Sequence, residues 1–411
     1  MMWKKYKTGV ALFCIFVVFM ISKSKEALDP DILIAYIIDY KTGFGARKLV
    51  ASVLSALVGV PTMGEIRLFA YALTTLVCAI FAWSANKFVQ KMQHLDETSY
   101  MSALYMLVLY LICPASLMFL LKYPNVGRLD IFLYASCLLL CYLFYHRNDN
   151  RLLYYAGITL LLVLAILTHH IFVATYMAFF VALFVYDIWE FGFNRQRFLS
   201  YVVVGVIACC ALASVLMLSS MSMSLDEAIH YNPHMELSRK FVCFGYYAHL
   251  SDHLEQYVLA KWPRLVAGFS LTVLFLAPLF VAFWKVWRDL YRSFMQEQDK
   301  RLMIGMQCAF LLFIPAFCIT VDYLRWFGAF IFLQFLLIAY FSYDRSTRFC
   351  NIIAIVNANL RKYVFFAAML LVYCAILGYF TSDTYFDIVE LIMEKLHIHR
   401  VTTLLPLEYR I

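Results

Sequence analysis

The sequence contains few charged residues. Asp, Glu, Lys and Arg make up 15% of its 411 residues, whereas hydrophobic residues make up 64%. Soluble domains usually carry about 25% charged residues. The composition therefore excludes an ordinary soluble protein and predicts an integral membrane protein.

Motifs for several other chemistries are missing. The sequence has no CxxC or CxxxH spacing, and most of its 12 cysteines lie inside apolar runs, where cysteine usually acts as a small hydrophobe. It also lacks the GxxxxGK[ST] and GxGxxG loops that bind nucleotides. The net charge of +8 does not indicate nucleic-acid binding, because basic residues in membrane proteins mostly mark cytoplasmic loops.

Long apolar runs dominate the sequence. Roughly 17–25 apolar residues cross a bilayer as a helix, whereas barrel strands alternate over segments of about ten residues. The runs here are continuous, so we predict an all-α, polytopic transmembrane helix bundle with about 11 spans, formed by 1–411 as a single domain. The predicted spans are 8–22, 66–86, 101–121, 129–145, 152–168, 170–188, 199–219, 263–285, 302–321, 324–343 and 363–381.

Lys and Arg predict the orientation of the bundle. The N-terminus is basic, and the first apolar run lacks a small-x-small cleavage site, so we expect an uncleaved first span with a cytoplasmic N-terminus. Every inner segment is then basic, as cytoplasmic segments usually are. This orientation leaves outer loops at 23–65 and 220–262 and an outer C-terminal tail at 382–411.

Two adjacent histidines, His169 and His170, lie at a predicted outer turn between two apolar runs. Neither a lipid-facing helix nor an apolar core needs an imidazole there. An imidazole titrates near neutral pH and can act as a general base toward a hydroxyl. Helical geometry would direct the two rings roughly 100° apart, so at most one would face a given site. We favour His170 as catalytic, with His169 as the alternative; a structural histidine is the other interpretation.

Charged residues fall on the same predicted face. Arg47 follows a glycine-containing turn at the start of a short apolar helix, where a cation and free N–H groups favour an anion. Arg128 and Asp130 lie where a span begins, and charges there are costly unless they are paired or hydrated. At i, i+2 spacing they lie on different helix faces, so we expect them not to neutralise each other. Interfacial or structural ion-pair roles are the alternatives.

The short segment between the spans 302–321 and 324–343 also carries charge. Asp322 and Arg325 have i, i+3 spacing, which fits either a local ion pair or an Asp322 that orients Arg325. Tyr323 and Trp326 are the aromatics expected at a membrane interface, and they are also candidates for binding substrate.

The outer loops contain further polar residues. Asp29, Asp31 and Asp39 could hold a divalent metal through their oxygens; we predict no other cofactor. In the loop 220–262, His230/His234 and His249/His253 have i, i+4 spacing. Zinc is the less favoured interpretation, because a proline precedes His234 and disfavours a continuous helix. We expect this loop to act as a lid or an acceptor-binding surface.

Several arginines beside a base suggest a substrate with an anionic head and a lipid tail. Guanidinium groups bind diphosphate oxygens in bidentate fashion, and a polyprenyl-diphosphate sugar combines a diphosphate head with an apolar tail. The predicted catalytic residues are His170, His169, Asp130 and Asp322, and the predicted substrate-binding residues are Arg47, Arg128, Arg325, Asp39, Tyr323 and Trp326.

Four short motifs carry a resemblance to known families: GFGAR with Arg47, Arg128-x-Asp130, the THH turn with His169, and DYLRW with Arg325. With its multi-span layout, the chain resembles bacterial polysaccharide polymerases of the O-antigen and exopolysaccharide type (the Wzy-like and EpsG-like families), and more broadly membrane glycosyltransferases of the GT-C kind. The resemblance implies a diphosphate-binding role for the three arginines and an enzyme of the bacterial plasma membrane.

Other functions remain open at this stage. A GT-C glycosyltransferase would use a polyprenyl-monophosphate sugar and acidic residues of the first outer loop. A transporter or flippase of lipid-linked sugars would place polar residues near the midplane in two pseudo-repeated halves. A scaffold of a membrane assembly is a third class. The favoured reading implies a lipid-linked glycan donor, a glycan acceptor, membrane lipids and other polysaccharide-assembly proteins as partners.

Overall fold

The described part of the chain is mainly helical. The computed structural model describes residues 2–23, 28–190, 193–218, 221–243, 246, 262–319, 323–345, 347–377, 392 and 395, and these ranges contain no β-strand. The predicted all-α class is therefore confirmed for this part of the chain. Its α-helices are α1 (Met2–Lys23), α2 (Pro30–Ile37), α3 (Leu49–Val58), α4 (Met63–Gln93), α5 (Glu97–Ile112), α6 (Leu117–Leu120), α7 (Asp130–Tyr145), α8 (Arg151–Thr168), α9 (Met177–Glu190), α10 (Arg195–Met217), α11 (Leu225–Tyr231), α12 (Arg239–Val242), α13 (Trp262–Ser293), α14 (Glu297–Cys308), α15 (Phe313–Ile319), α16 (Tyr323–Tyr343), α17 (Ile352–Lys362) and α18 (Val364–Ala375).

Eight helical segments in the described ranges are long and apolar enough to cross a membrane. Three predicted spans correspond to shorter helices. The helix α7 has 16 residues and α9 has 14, because irregular turns precede both. The last predicted span, 363–381, overlaps α18, which meets α17 at a bend of 96°. The protein is thus a helical membrane bundle, whereas the count of 11 spans and the orientation remain predictions.

The helix α16 lies at the centre of the bundle. In its most apolar window 78% of residues are buried, compared with 17% for the window of α1 and 22% for that of α10. The helices α5, α7 and α9 pack around the same core, through side chains such as Tyr110, Tyr134 and Phe180. Close packing therefore holds α7 and α16, with their polar ends, rigidly in place.

Segments from both predicted outer loops fold together over one end of the bundle. The helices α2, α3 and α11 and the 3-10 segment Pro233–Ser238, here called the cap, share a second apolar cluster with Leu129. Hydrogen bonds join the two loops: Asn232 donates to the carbonyl of Ile37 (3.1 Å), and Ser238 donates to that of Pro30 (2.9 Å). We call this end of the bundle the cap end and the other the opposite end.

Candidate functional site

The charged residues singled out in the sequence meet at the cap end. Nη1 of Arg325 lies 3.4 Å from Oδ2 of Asp130, and Nη2 of Arg128 lies 3.6 Å from Oδ2 of Asp31. Arg128 and Asp130 therefore pair with different partners, as their i, i+2 spacing predicted. The two contacts link the starts of α7 and α16 to the cap.

A glycine turn directs the chain into this cluster. Gly127 has φ +91°, and its carbonyl accepts a 2.6 Å hydrogen bond from the hydroxyl of Tyr36. A Cβ at this position would lie 3.3 Å from a methyl group of Ile32. Since only glycine adopts such a φ without strain, Gly127 sets the direction in which Arg128 leaves the turn.

Arg47 adopts an unusual backbone conformation. Its φ of +64° is the only positive value for a non-glycine residue in the described ranges, and left-handed backbone costs an L-residue about 1–2 kcal/mol. Its N–H donates to the carbonyl of Leu167 at 3.2 Å, which ties it to the end of α8. The predicted position at the start of a helix was slightly wrong, because α3 begins at Leu49 with Lys48 as its N-cap.

The Arg47 side chain belongs to the same charge cluster. Burial lowers the pKa of Arg47; Tyr246 and Asp130 oppose that shift, whereas Arg325 adds to it. Its Nε is buried and has no hydrogen-bond partner among the described residues. An incoming anion would supply the acceptor that this buried donor lacks.

His169 is buried at the end of α8, with 4% of its surface exposed. Its Nδ1 accepts a 3.4 Å hydrogen bond from the N–H of Ile171, so Nε2 carries the proton. Burial, with Arg47 as the next cause, holds its pKa well below the usual 6.5. His169 is therefore a neutral hydrogen-bond donor near pH 7, and its Nε2 cannot accept a proton in this tautomer.

His170 lies beside it, with ring centroids 5.6 Å apart. The expectation that at most one ring faces the site assumed helical geometry, which the chain does not have here. The helix α8 stops at Thr168, His169 is extended at φ −158°, and a 3-10 segment begins at His170. Because the chain is not helical here, both imidazoles lie at the cluster, and His170 stays the histidine candidate for the base.

Asp130 is the most buried carboxylate of the cluster, with 2% of its surface exposed. It is the first residue of α7, where the helix dipole stabilises its negative charge. Its Oδ1 is buried without a hydrogen-bond partner in the described ranges. This oxygen could accept a proton from a hydroxyl placed beside it, so Asp130 is the second candidate base.

The aromatic candidates have different surroundings. The guanidinium of Arg325 lies 4.4 Å from the ring centroid of Trp326, a cation–π contact that orients Arg325. Tyr323 instead packs against Phe269 of α13, with centroids 5.8 Å apart. Trp326 therefore supports the cluster directly, whereas Tyr323 is a packing residue. Asp322 lies outside the described residues, as do His249 and His253.

The acidic residues of the first loop accept hydrogen bonds within the cap, and their predicted metal site stays a prediction. Asp29 caps α2 and accepts from the N–H of Asp31 at 3.0 Å. Asp39, predicted to bind substrate, caps a 3-10 turn and accepts from the hydroxyl of Tyr231 at 2.9 Å. Within the described ranges no three His, Cys, Asp or Glu side chains, His230 included, group as metal ligands. The geometry therefore gives Asp39 a role in joining the two loops.

Sequence analysis missed Lys48, which is 1% exposed. Its Nζ donates to the carbonyl of Gly43 at 2.9 Å and to the hydroxyl of Thr42 at 3.3 Å, and it lies 5.7 Å from the Tyr246 ring centroid. Burial lowers its pKa to about 8, against the attraction of Asp39. The only signal was its position next to Arg47, and the structure makes it a support for the loop that holds Arg47.

A second charged cluster at the opposite end was also missed. Arg147, counted only as a basic residue of an inner segment, is 4% exposed. Its Nε lies 2.8 Å from Asp187, its Nη2 3.0 Å from Glu190 and its Nη1 3.6 Å from Asp344. These carboxylates lie at or near the ends of α9 and α16, so one guanidinium joins the ends of three helices.

The shifted pKa of His169 predicts how stability depends on pH. Below pH 6.5, His169 binds a proton in the unfolded chain but stays neutral in the folded one. The free energy of unfolding therefore decreases as pH falls. The slope for one proton is at most about 1.4 kcal/mol per pH unit. We expect His169→Phe to reduce this acid sensitivity in detergent-unfolding measurements between about pH 5 and pH 8. His94→Phe, at an exposed position after α4, is the matched control; equal slopes in both variants would contradict the assignment.

No protein-family model, no curated protein and no solved structure matches this chain.

Proposed function

We propose that this protein transfers or polymerises glycans from a polyprenyl-diphosphate-linked donor at the outer face of a membrane. One observation carries the proposal: Arg325 lies 3.4 Å from Asp130 and Arg128 lies 3.6 Å from Asp31, and these arginines and Arg47, from three separate segments of the chain, are close enough to the buried His169 to lower its pKa. A bundle that needed these charges only for anchoring in the membrane would not gather them around one buried imidazole.

The charges of the cluster suit a diphosphate. Three guanidinium groups face the two carboxylates Asp31 and Asp130, so this group of described residues is net positive. Both ion pairs are longer than the 2.7–2.9 Å that is typical of strong charged hydrogen bonds. A diphosphate offers more acceptor oxygens than these carboxylates, and its negative charge suits a group that holds more guanidinium than carboxylate charge.

The chemistry needs a base and a stabilised leaving group. In the proposed step, an acceptor hydroxyl attacks the anomeric carbon of the donor sugar, and the bond from that carbon to the diphosphate oxygen breaks. The departing polyprenyl diphosphate keeps the electron pair, which the arginines stabilise. His170 or Asp130 takes the hydroxyl proton, while Nε2–H of His169 donates a hydrogen bond. The leaving group drives the transfer, so no nucleotide is required.

The proposal includes an orientation of the protein in the membrane and a cellular location. With the N-terminus in the cytoplasm, the cap end faces outward, which agrees with the positive-inside rule. We assign the protein to the plasma membrane of a bacterium, in surface polysaccharide assembly, with a glycan acceptor and other assembly proteins as partners. A monophosphate-dependent GT-C mechanism is less favoured because Asp29 and Asp39 serve as helix caps. A transporter is less favoured because the cluster lies where α7 and α16 begin.

Purified protein in lipid nanodiscs, given a lipid-linked oligosaccharide and no nucleotide sugar, tests this function. We expect a ladder of longer glycans by gel or mass spectrometry. Arg128→Ala and His170→Ala should lose it, by roughly 100-fold or more. Arg195→Ala, at an exposed position at the opposite end, should retain activity. A single sugar added only from a monophosphate donor would favour the GT-C alternative, and lipid movement without covalent change would overturn the proposal.

A further inference from the structure

A largely apolar cavity of about 290 Å³ lies between α4, α5, α7 and α16. Its wall is aromatic and aliphatic, and it lies within the membrane-spanning part of the bundle. Nothing in the proposed transfer step uses it. Its lining includes Tyr110, Leu138, Cys141, Phe332, Leu336 and Ala339.

The cavity continues the charged cluster along the same helices. A small pocket lined by Asp130, Tyr134 and Arg325 lies between α6, α7 and α16. One turn further along α7 and α16, the lining passes to Leu138 and Phe332 of the larger cavity. The rings of Tyr134 and Phe332 stack with centroids 4.2 Å apart, and this contact lies where the linings of the two pockets meet.

The cavity also reaches the lipid-facing surface. Trp83 of α4 and Tyr142 and Tyr145 of α7 line it, and they are 48%, 51% and 42% exposed. A hydrocarbon chain can therefore pass from the membrane into the bundle between α4 and α7. A hydrocarbon chain that enters by this route does not pass through the charged cluster at the cap end.

The far end of the cavity carries less positive charge than the arginine cluster. His146 lines this end, but its Nδ1 lies 2.7 Å from the carboxylate of Asp149. Lys87 also lines it and lies over the ring of Trp83 at 5.8 Å. The stronger site for an anion is the arginine cluster, so the occupant has its charge at the cap end and its chain in the cavity.

We propose that this cavity binds the isoprenoid chain of the lipid donor while the diphosphate lies at the arginine cluster. This inference rests on the proposed function, and it concerns the isoprenoid chain, which the arginine cluster does not contact. From Asp130 to Tyr142 the axial rise along α7 is about 18 Å, so only a long chain reaches the far end of the cavity.

Two neighbouring leucines of α7 give a matched test. Leu138 lines the cavity and is 7% exposed, whereas Leu139 is 42% exposed on the lipid side. We expect Leu138→Trp to fill the cavity and weaken binding of a long-chain polyprenyl diphosphate by about tenfold or more, since each buried CH₂ contributes about 0.8 kcal/mol. Leu139→Trp should leave this affinity unchanged. Both variants should bind dimethylallyl diphosphate, whose single isoprene unit is too short to enter, like the wild type.

Affinities are measured by native mass spectrometry or scintillation proximity on the full chain. Ala339→Phe fills the same cavity from α16. It provides a second test of the proposal if Leu138→Trp does not fold. Equal affinity of Leu138→Trp and Leu139→Trp for the long chain would overturn the proposal, as would displacement of that chain by phosphatidylglycerol at equal concentration. Selective loss of long-chain binding with no glycan transfer by the wild type would defeat the proposed function and leave the chain site standing.

Discussion

Arg325→Ala is expected to lower kcat/KM for glycan transfer by roughly 100-fold or more, with most of the loss in kcat. Its guanidinium lies 3.4 Å from Asp130 and against the Trp326 ring, so it is held in place before substrate arrives. A cation fixed in this way stabilises charge that develops on the leaving diphosphate more than charge already present in the bound donor. Initial rates with a lipid-linked oligosaccharide, over a range of donor concentrations, measure the effect.

Arg325→Lys distinguishes the effect of the positive charge from that of the planar guanidinium shape. Lysine keeps the positive charge but cannot form the planar, two-pronged contact with phosphate oxygens, so we expect it to restore only part of the activity. Arg195→Ala serves as the control for loss of an exposed arginine. If Arg325→Ala raised KM alone and kept kcat, Arg325 would bind donor and transition state equally, and its proposed role in the chemical step would be wrong.

Arg147→Met is expected to cost about 3–5 kcal/mol of stability, because it leaves buried carboxylates without their main counter-charge. Arg147 contacts Asp187, Glu190 and Asp344, and each of these side chains is 5% exposed or less. Their repulsion would separate the ends of α7, α9 and α16. Unfolding in mixed micelles of increasing SDS content measures the change in free energy.

Arg151→Met is the matched control, because Arg151 lies nearby in sequence and is exposed. It should shift stability by less than about 0.5 kcal/mol. A triple variant in which Asp187, Glu190 and Asp344 become neutral amides should recover part of what Arg147→Met loses, since the three side chains around residue 147 are then uncharged. Equal stability of Arg147→Met and Arg151→Met would show that the network contributes little.

The helical class and most of the charged cluster could be predicted from the sequence. Apolar runs of membrane length leave few alternatives to a helix bundle. In such a sequence a charged residue at the end of a span is costly, so its presence is informative. This reasoning selected Arg47, Arg128, Asp130 and Arg325, which lie together in the structure.

The pairing of these residues could not be predicted. Asp130 and Arg325 are 195 positions apart, and local spacing instead suggested that Asp322 would orient Arg325. The expected ring directions of the two histidines assumed a helix where the chain is extended. Arg147 was counted for its charge alone, since nothing local distinguishes a basic loop residue from one buried against carboxylates of other helices. Such contacts depend on tertiary packing, which a single sequence reveals poorly.

The shortness of α7 has a consequence for side reactions. Its 16 residues rise about 24 Å, whereas the hydrocarbon core of a bilayer is about 30 Å thick. If the far end of α7 lies near one membrane surface, Asp130 lies some 6 Å below the other, under the cap. Water is scarce at that depth, and a donor sugar held there would meet the acceptor hydroxyl far more often than a water molecule. Burial of the charged cluster would then favour glycan extension over wasteful hydrolysis of the donor.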